Sequence, residues 1–301
     1  MSSSTIEHGL DLSHLASAMV LQSRAADWNQ NEADWRYLLT NGQAWGISQD
    51  DGPLLASTVV LPYGEATGDG FAWISMVLVL PEHRRRGLAS RLLRRALAEL
   101  AHRGLTPILD ATPAGRAVYA REGFRDTWGF TRYRRGAGQL SATQGSQPSR
   151  ARGFVESGHA VRPITPGDWQ AIVAFDTPAF GSRREHLLRA LAERLPDAAL
   201  IAETEGRIAG YLLGRDGREA CQVGPLIARD VDTARRLLET ALAHLSGPLY
   251  IDVADRFSAL RPWLDAAGFE FQRPFTRMIH GGGVAPGDAA IVIAVAGPEL
   301  G

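Results

Sequence analysis

The sequence predicts an α+β protein built as two tandem units, and three observations carry that expectation. Short apolar runs bounded by turn residues alternate with stretches of helical period, the pattern of sheets flanked by helices. At residues 77–90 a strand, a basic loop with one glycine and a long amphipathic helix follow one another directly. The second half of the chain then matches the first at a fixed offset, a sign of duplication.

The 301 residues, 45% of them hydrophobic, are enough for two buried cores. Lys plus Arg number 32 against 33 Asp plus Glu, so global charge gives no support to a nucleic-acid or acidic-membrane partner. The single cysteine, Cys221, excludes an internal disulfide and is expected to be buried, in a reducing compartment. No apolar run reaches the roughly 18 to 20 residues of a membrane span. The first residues lack the basic start and apolar core of a signal peptide, so a cytoplasmic location is the expectation. The eight histidines show no paired ligand spacing, and no metal is expected.

In chain order, Leu12, Leu15, Ala16, Met19 and Val20 share one face of a first helix that Asp11 or Ser13 can cap. A second helix is expected over 32–39, behind the polar corner Trp28-Asn29-Gln30-Asn31. Residues 44–48 and 54–61 read as a hairpin around Asp50-Asp51-Gly52, and 71–80 as the next antiparallel strand. That strand stops at Pro81, which has no N–H for a continuing ladder. From Leu88 onward Leu92, Leu93, Ala96, Leu97 and Leu100 recur at helical spacing up to about residue 103. A short strand over 106–109 precedes a helix that Thr112 can cap, with Pro113 at its first position and Gly123 at its end.

The junction at 77–90 carries the chemistry. A loop entering a helix leaves backbone N–H groups unpaired at the positive end of the helix dipole, an anion cradle. Gly87 allows close approach, and Arg84, Arg85 and Arg86 add positive charge, so a phosphate or pyrophosphate is favoured. Neither the P-loop nor the dinucleotide-binding glycine pattern is present.

The run Val79-Leu80-Pro81-Glu82-His83-Arg84-Arg85-Arg86-Gly87-Leu88-Ala89 resembles the acetyl-CoA signature of the GNAT N-acetyltransferase superfamily, with Arg84, Gly87 and Ala89 at its three defining positions. The resemblance implies two tandem domains of central, mostly antiparallel mixed sheet flanked by helices, and acetyl-CoA as cofactor. It also implies a bulge in the strand before the loop, where that strand splays to admit the pantetheine arm. Cofactor contacts are then expected from Val77, Leu78, Val79, Arg84, Arg85, Arg86, Gly87, Leu88, Ala89 and Ser90, with Thr112 and Arg116 from the later helix. The segment 117–124 resembles the part of the family in which a helical tyrosine acts as general acid, and this points to Tyr119.

Acetyl transfer from a thioester to an amine needs a neutral amine and a proton for the departing thiolate, which a phenol can give. The base is open at this stage. The central strand offers Trp73, Ser75 and Met76 and no carboxylate. Asp110, at the end of the neighbouring strand, is the best nearby carboxylate, with a surface or capping role as its alternative; Glu65 or Asp69 would have to fold over, and proton removal by water needs no residue at all. The stretch 28–35 resembles one in a two-domain GNAT group, which implies that Trp28 and Asn29 line the acceptor site, the alternative being two tryptophans that pack the helix pair; Trp73 and Ser75 are expected at the same site. The acceptor is expected to be the primary amine of a small molecule, and the protein a monomer or homodimer. An acyl-CoA-binding sensor without turnover is the alternative.

The repeat sharpens the first unit by contrast. Gly123-Phe124 falls on Gly268-Phe269 at an offset of 145 residues, and the same offset places Leu92-Leu93 on Leu237-Leu238, Ala89 on Ala234 and Arg84 on Arg229. Arg85 and Gly87 fall on Asp230 and Asp232, and Tyr119 on Leu264. Carboxylates there would satisfy the helix N-terminus and repel pyrophosphate, so the second unit reads as a degenerate copy. The expected layout is a first domain over 1–135, a Gly/Ser/Gln-rich linker over 136–158 and a second domain over 159–301. Within the latter, Asp176, Arg183 and Arg184 read as a loop, solvated or else facing an acceptor cleft, and 289–295 as a last strand added to the sheet.

Overall fold

The computed structural model describes residues 5–49, 52–64, 70–137 and 159–301. Asp50, Asp51, Glu65, Asp69 and nearly all of the expected linker lie outside the described residues. The elements are β1 (Thr5–Leu10), α1 (Leu15–Ala25), α2 (Glu32–Asn41), β2 (Gln43–Gln49), β3 (Leu54–Tyr63), β4 (Phe71–Val79), α3 (Leu88–His102), β5 (Thr106–Ala111), α4 (Pro113–Arg121) and β6 (Phe124–Arg135). They continue with β7 (His159–Pro163), α5 (Trp169–Phe180), α6 (Glu185–Arg194), β8 (Leu200–Thr204), β9 (Arg207–Arg215), β10 (Cys221–Ala228), α7 (Val231–Leu242), β11 (Leu249–Ala254), α8 (Arg261–Ala266), β12 (Phe269–His280) and β13 (Val292–Ala294).

The chain divides into two compact units, each discontinuous in sequence. Unit 1 comprises Met1–Thr127, Thr276–Ala285 and Pro298–Gly301, and unit 2 comprises Trp128–Phe275 and Pro286–Gly297. This division differs from a single boundary near residue 135, and the reason is strand length. β6 and β12 stand at the repeat offset of 145, and each is 12 residues long, so the two halves of one strand belong to different units.

In unit 1, β1 to β4 are antiparallel neighbours in sequence order, β5 is parallel to β4, and residues 276–279 of β12 pair antiparallel with β5. α3 buries Leu88, Leu92, Leu93, Ala96 and Leu100, the face its period predicts, while Leu97 is half-buried. α1 follows a 3-10 turn where the Asp11 carboxylate accepts from the Ser13 N–H at 2.9 Å. At α2, Asn31 and Asp34 exchange side-chain to backbone hydrogen bonds, a capping box.

In unit 2, β7, β8, β9 and β10 form an antiparallel run, and β10 is parallel to β11 over Cys221–Val223 only. Beyond that point β13 enters between them, pairing Leu226 with Ala294 and Ile227 with Val292 on one side, and Val253 with Ala294 on the other. Residues 130–135 of β6 pair antiparallel with β11. The expectation for Asp176 and Arg184 needs correction. Asp176 lies inside α5, and its carboxylate accepts from Arg184 at 2.9 and 3.0 Å and from the Tyr211 hydroxyl. All three side chains are buried, so this is an internal ion pair and no part of an exposed loop.

Candidate active site

The loop at 80–87 is tied down by side chains on one side and left open on the other. After a 3-10 turn at Pro81–His83, Arg84 donates to the carbonyls of Val79 at 3.2 Å and of Ala25, the last residue of α1. Carbonyls at a helix C-terminus attract a cation, so Arg84 anchors the loop. Arg24 and Glu82 add a second tie at 2.6 Å. Arg85 has φ +62 and Gly87 φ +77, so the chain twice enters the left-handed region before α3 begins.

Gly87 is the N-cap of α3, and it has no side chain to accept from the first turn. The first bond of the helix runs from the Arg91 N–H to the Gly87 carbonyl at 2.9 Å, so the amides of Leu88, Ala89 and Ser90 precede the ladder. Among the described residues, a Cβ at Gly87 would meet nothing beyond its chain neighbours within 4 Å. The helix start therefore faces open space, with Arg85 and Arg86 exposed beside it.

β4 carries the irregularity that the family resemblance implies. Ser57 pairs with Leu78 but Val59 pairs with Ser75, which leaves one extra residue in β4. Met76, inside the bulge, has φ +49, and its carbonyl accepts from the buried Ser57 hydroxyl at 2.9 Å. On its other side, β4 pairs with β5 only over Phe71–Trp73. Past Trp73 and Ile108 the two strands part, and β5 turns to β12 for its remaining partners. Val77 and Val79 are half-buried along this gap, whereas Leu78 is buried.

Tyr119 sits on α4, which Thr112 caps through its hydroxyl on the Gly115 N–H at 3.2 Å. Arg94 of α3 clasps Glu122 with two bonds of 3.0 Å and so fixes the far end of α4. The Tyr119 ring lies edge-on to Phe124 at 6.1 Å and leans back on Gly115, where a Cβ would come within 2.8 Å of it. Burial of the phenol pushes its pKa up to about 12, so it stays protonated near neutrality. Arg116 is engaged by Asp126 at 2.9 and 3.0 Å, which holds its guanidinium above the ordinary range and the Asp126 carboxyl below it. It lines a cavity of about 470 Å³ with Pro113, Phe124, Asp126 and Met278, none of them from the loop.

Asp110 is not open to an amine. Its carboxylate accepts from Arg277 at 2.9 and 3.0 Å, with both side chains buried, and the Arg277 guanidinium lies 4.4 Å from the centre of the Trp73 ring. The base role expected for Asp110 thus gives way to a structural ion pair, because breaking it would strand a buried arginine. Trp73 is likewise covered, and its indole N–H donates to the Pro298 carbonyl at 3.1 Å. Ser75 is also buried, and its hydroxyl has no hydrogen-bond partner among the described residues. Asn29 is buried and Trp28 half-buried, in a corner stitched by Gln22, whose amide donates to the Trp28 and Gln30 carbonyls at 3.0 and 2.8 Å. The fully buried Trp35 donates to the same Gln22 at 2.6 Å. Sequence reasoning missed Arg277 and residues 298–301, which arrive beside β3 and β4 from the far end of the chain. Only the apolar alternation before Gly297 signalled that this end is ordered.

Unit 1 thus holds a bulged strand that parts from its neighbour, followed by a helix start with no side-chain cap. Residues 12–124 match the model of the Acetyltransferase (GNAT) family, and residues 172–294 that of an Acetyltransferase (GNAT) domain. The chain belongs to the GNAT family of acetyltransferases, and it is an N-acetyltransferase. It is 32% identical over 265 residues to the mycothiol acetyltransferase of Kineococcus radiotolerans, covering 79% of this chain and 80% of that protein. It is 23% identical over 257 residues to the uncharacterized N-acetyltransferase YitH of Bacillus subtilis, covering 85% and 84%. The fold is shared with a tandem GNAT protein from the clavulanic acid biosynthesis pathway, at a TM-score of 0.66, 17% identity and coverage of 93% and 99%.

Proposed function

We propose that unit 1 binds acetyl-CoA and transfers its acetyl group directly to the primary amine of a small molecule, while unit 2 holds no cofactor. One observation carries this reading: α3 begins at Gly87 in the left-handed region, with no side-chain cap and, among the described residues, no atom beyond its own chain neighbours within 4 Å of the missing Cβ. The amides of residues 88–90, with Arg85 and Arg86, are suited to a pyrophosphate. The gap beside Val77 and Val79 offers unpaired backbone to the arm that follows. Bound there, acetyl-CoA supplies an acetyl group activated as a thioester.

Tyr119 is kept protonated by burial and can give its proton to a departing thiolate. Unit 2 repeats the parting strands but fills the features that would bind. Asp230 caps α7 itself and β13 fills the gap between β10 and β11. The relative named for mycothiol favours a small-molecule acceptor here.

Calorimetry with acetyl-CoA is expected to show one site per chain, and thiol release is expected with at least one member of a primary-amine panel. No binding, or two equivalent sites, would overturn the reading.

A further inference from the structure

We propose that the cavity on the β12 side of α4 is a second ligand site in unit 1, one that takes a small carboxylic acid with an apolar body. β5 pairs with β4 along one edge and with β12 along the other. The cavity of about 470 Å³ is lined by α4, by residues 124–126 of β6 and by Met278 of β12, and it takes no residue from β4 or from 80–87. It is therefore distinct from the strand gap and from the start of α3.

Small side chains on one face of α4 make its apolar wall. Pro113, Ala117 and Ala120 stand at i, i+4 and i+7, and none of them is buried. Behind them Phe124 and Met278 close the sheet side, with 0% and 1% exposure. Longer side chains at 117 and 120 would fill the space that the alanines leave. A cavity of this size, apolar with a few polar groups at its rim, suits a small organic ligand.

The rim sets the sign of that ligand's charge. Arg116 commits Nε and Nη2 to the Asp126 carboxylate, and this pair is neutral, while its Nη1 has no hydrogen bond among the described residues. Arg125 donates from Nη1 to the Phe124 carbonyl at 3.3 Å, which holds it at the rim, and it has no carboxylate partner among the described residues. Two guanidiniums thus stand against one carboxylate. The rim keeps one positive charge and has N–H donors to spare, the requirement for binding a carboxylate. An ammonium ligand is disfavoured by the same charge.

Calorimetry of the full chain with phenylacetate and octanoate tests the site, with phenylacetamide and phenethylamine as neutral and cationic counterparts of the first acid. Phenylacetate is expected to bind once per chain, about tenfold or more tighter than phenylacetamide, and phenethylamine to give no binding heat. Its affinity should be the same with and without acetyl-CoA. Arg125→Ala should weaken phenylacetate about tenfold and leave phenylacetamide unchanged. Ala120→Phe, at an exposed helix position, should abolish binding while the far-UV circular dichroism stays that of wild type. Equal affinity for acid and amide, or wild-type affinity in Arg125→Ala, would overturn the carboxylate assignment. Competition with acetyl-CoA, or undiminished binding by Ala120→Phe, would overturn a separate site at this cavity. No binding of either acid by the wild type would overturn the proposal as a whole.

Discussion

The two units build the same strand-to-helix junction and finish it in opposite ways. In unit 1 residues 80–87 separate β4 from α3, and the helix starts at a glycine with no cap. In unit 2 only Arg229 and Asp230 separate β10 from α7, and the Asp230 carboxylate accepts from the Thr233 N–H at 2.7 Å and its hydroxyl at 3.0 Å. The parallel strands behave alike at first, since each pair parts after three residues in register. In unit 1 no strand among the described residues follows into the gap. In unit 2, β13 pairs with both walls, and a Cβ at Gly224 would come within 2.2 Å of the Val295 carbonyl oxygen. A helix start and a strand gap are binding features only while nothing in the chain satisfies them, and unit 2 satisfies both internally.

The comparison breaks most decisively at Tyr119, whose counterpart is Leu264. Tyr119→Phe is expected to lower thiol release about 100-fold with acetyl-CoA affinity intact. Because burial raises the phenol to about 12, the donor should persist and activity should show no alkaline fall from this group below about pH 10. The sign for stability is the same: a raised folded pKa favours the neutral form, so stability is full below the unfolded value near 10 and declines above it. A tyrosine-dependent fall in rate at pH 8 would remove Tyr119 from the acid role.

Next in size is Gly87→Asp, which gives unit 1 the carboxylate that unit 2 carries at the matching position. Acetyl-CoA affinity is expected to drop about tenfold or more, or roughly 1.4 kcal/mol. Asn tolerates the left-handed region without the charge, so Gly87→Asn separates the two causes. Equal losses in both variants would assign the effect to backbone strain.

A smaller change tests the helix that carries Tyr119. In Gly115→Ala the new methyl would meet the ring at 2.8 Å, so the ring must shift. A several-fold loss in kcat is expected, with acetyl-CoA affinity kept; an unchanged kcat would show that ring position is uncritical.

The smallest effect sharpens the reading of unit 2. Asp230→Gly removes a helix cap and should cost about 1 kcal/mol in chemical denaturation. The calorimetric stoichiometry for acetyl-CoA should stay at one, because β13 still fills the gap. A second site would mean that the aspartate, and not the strand, had closed unit 2.

Much of the candidate site was legible because its signals are local. Pro81, Gly87 and the leucine period fix where a strand stops, where a helix starts and which face it buries, and these depend on neighbours within one or two helical turns. Arg84 shows the limit of such reading. Its place in the motif suggested the cradle, yet its guanidinium reaches the end of α1, 59 residues away in sequence. The cap at Thr112 is likewise local and forms as its residue type predicts, and the capping box at Asn31 is a local feature of the same kind.

What the sequence by itself determined is the duplicated pattern, the glycine-led junction and the loss of that junction in the second copy, all properties of short segments and of a fixed offset. Only the tertiary structure decided which strands meet. It sends residues 276–279 to β5, β13 into the gap of unit 2 and residues 298–301 to the face of Trp73. The physical reason is that alternation tells which side of a strand is buried but not which partner its backbone will find. The Arg277 and Asp110 pair spans 167 positions, and no local preference encodes a contact of that range.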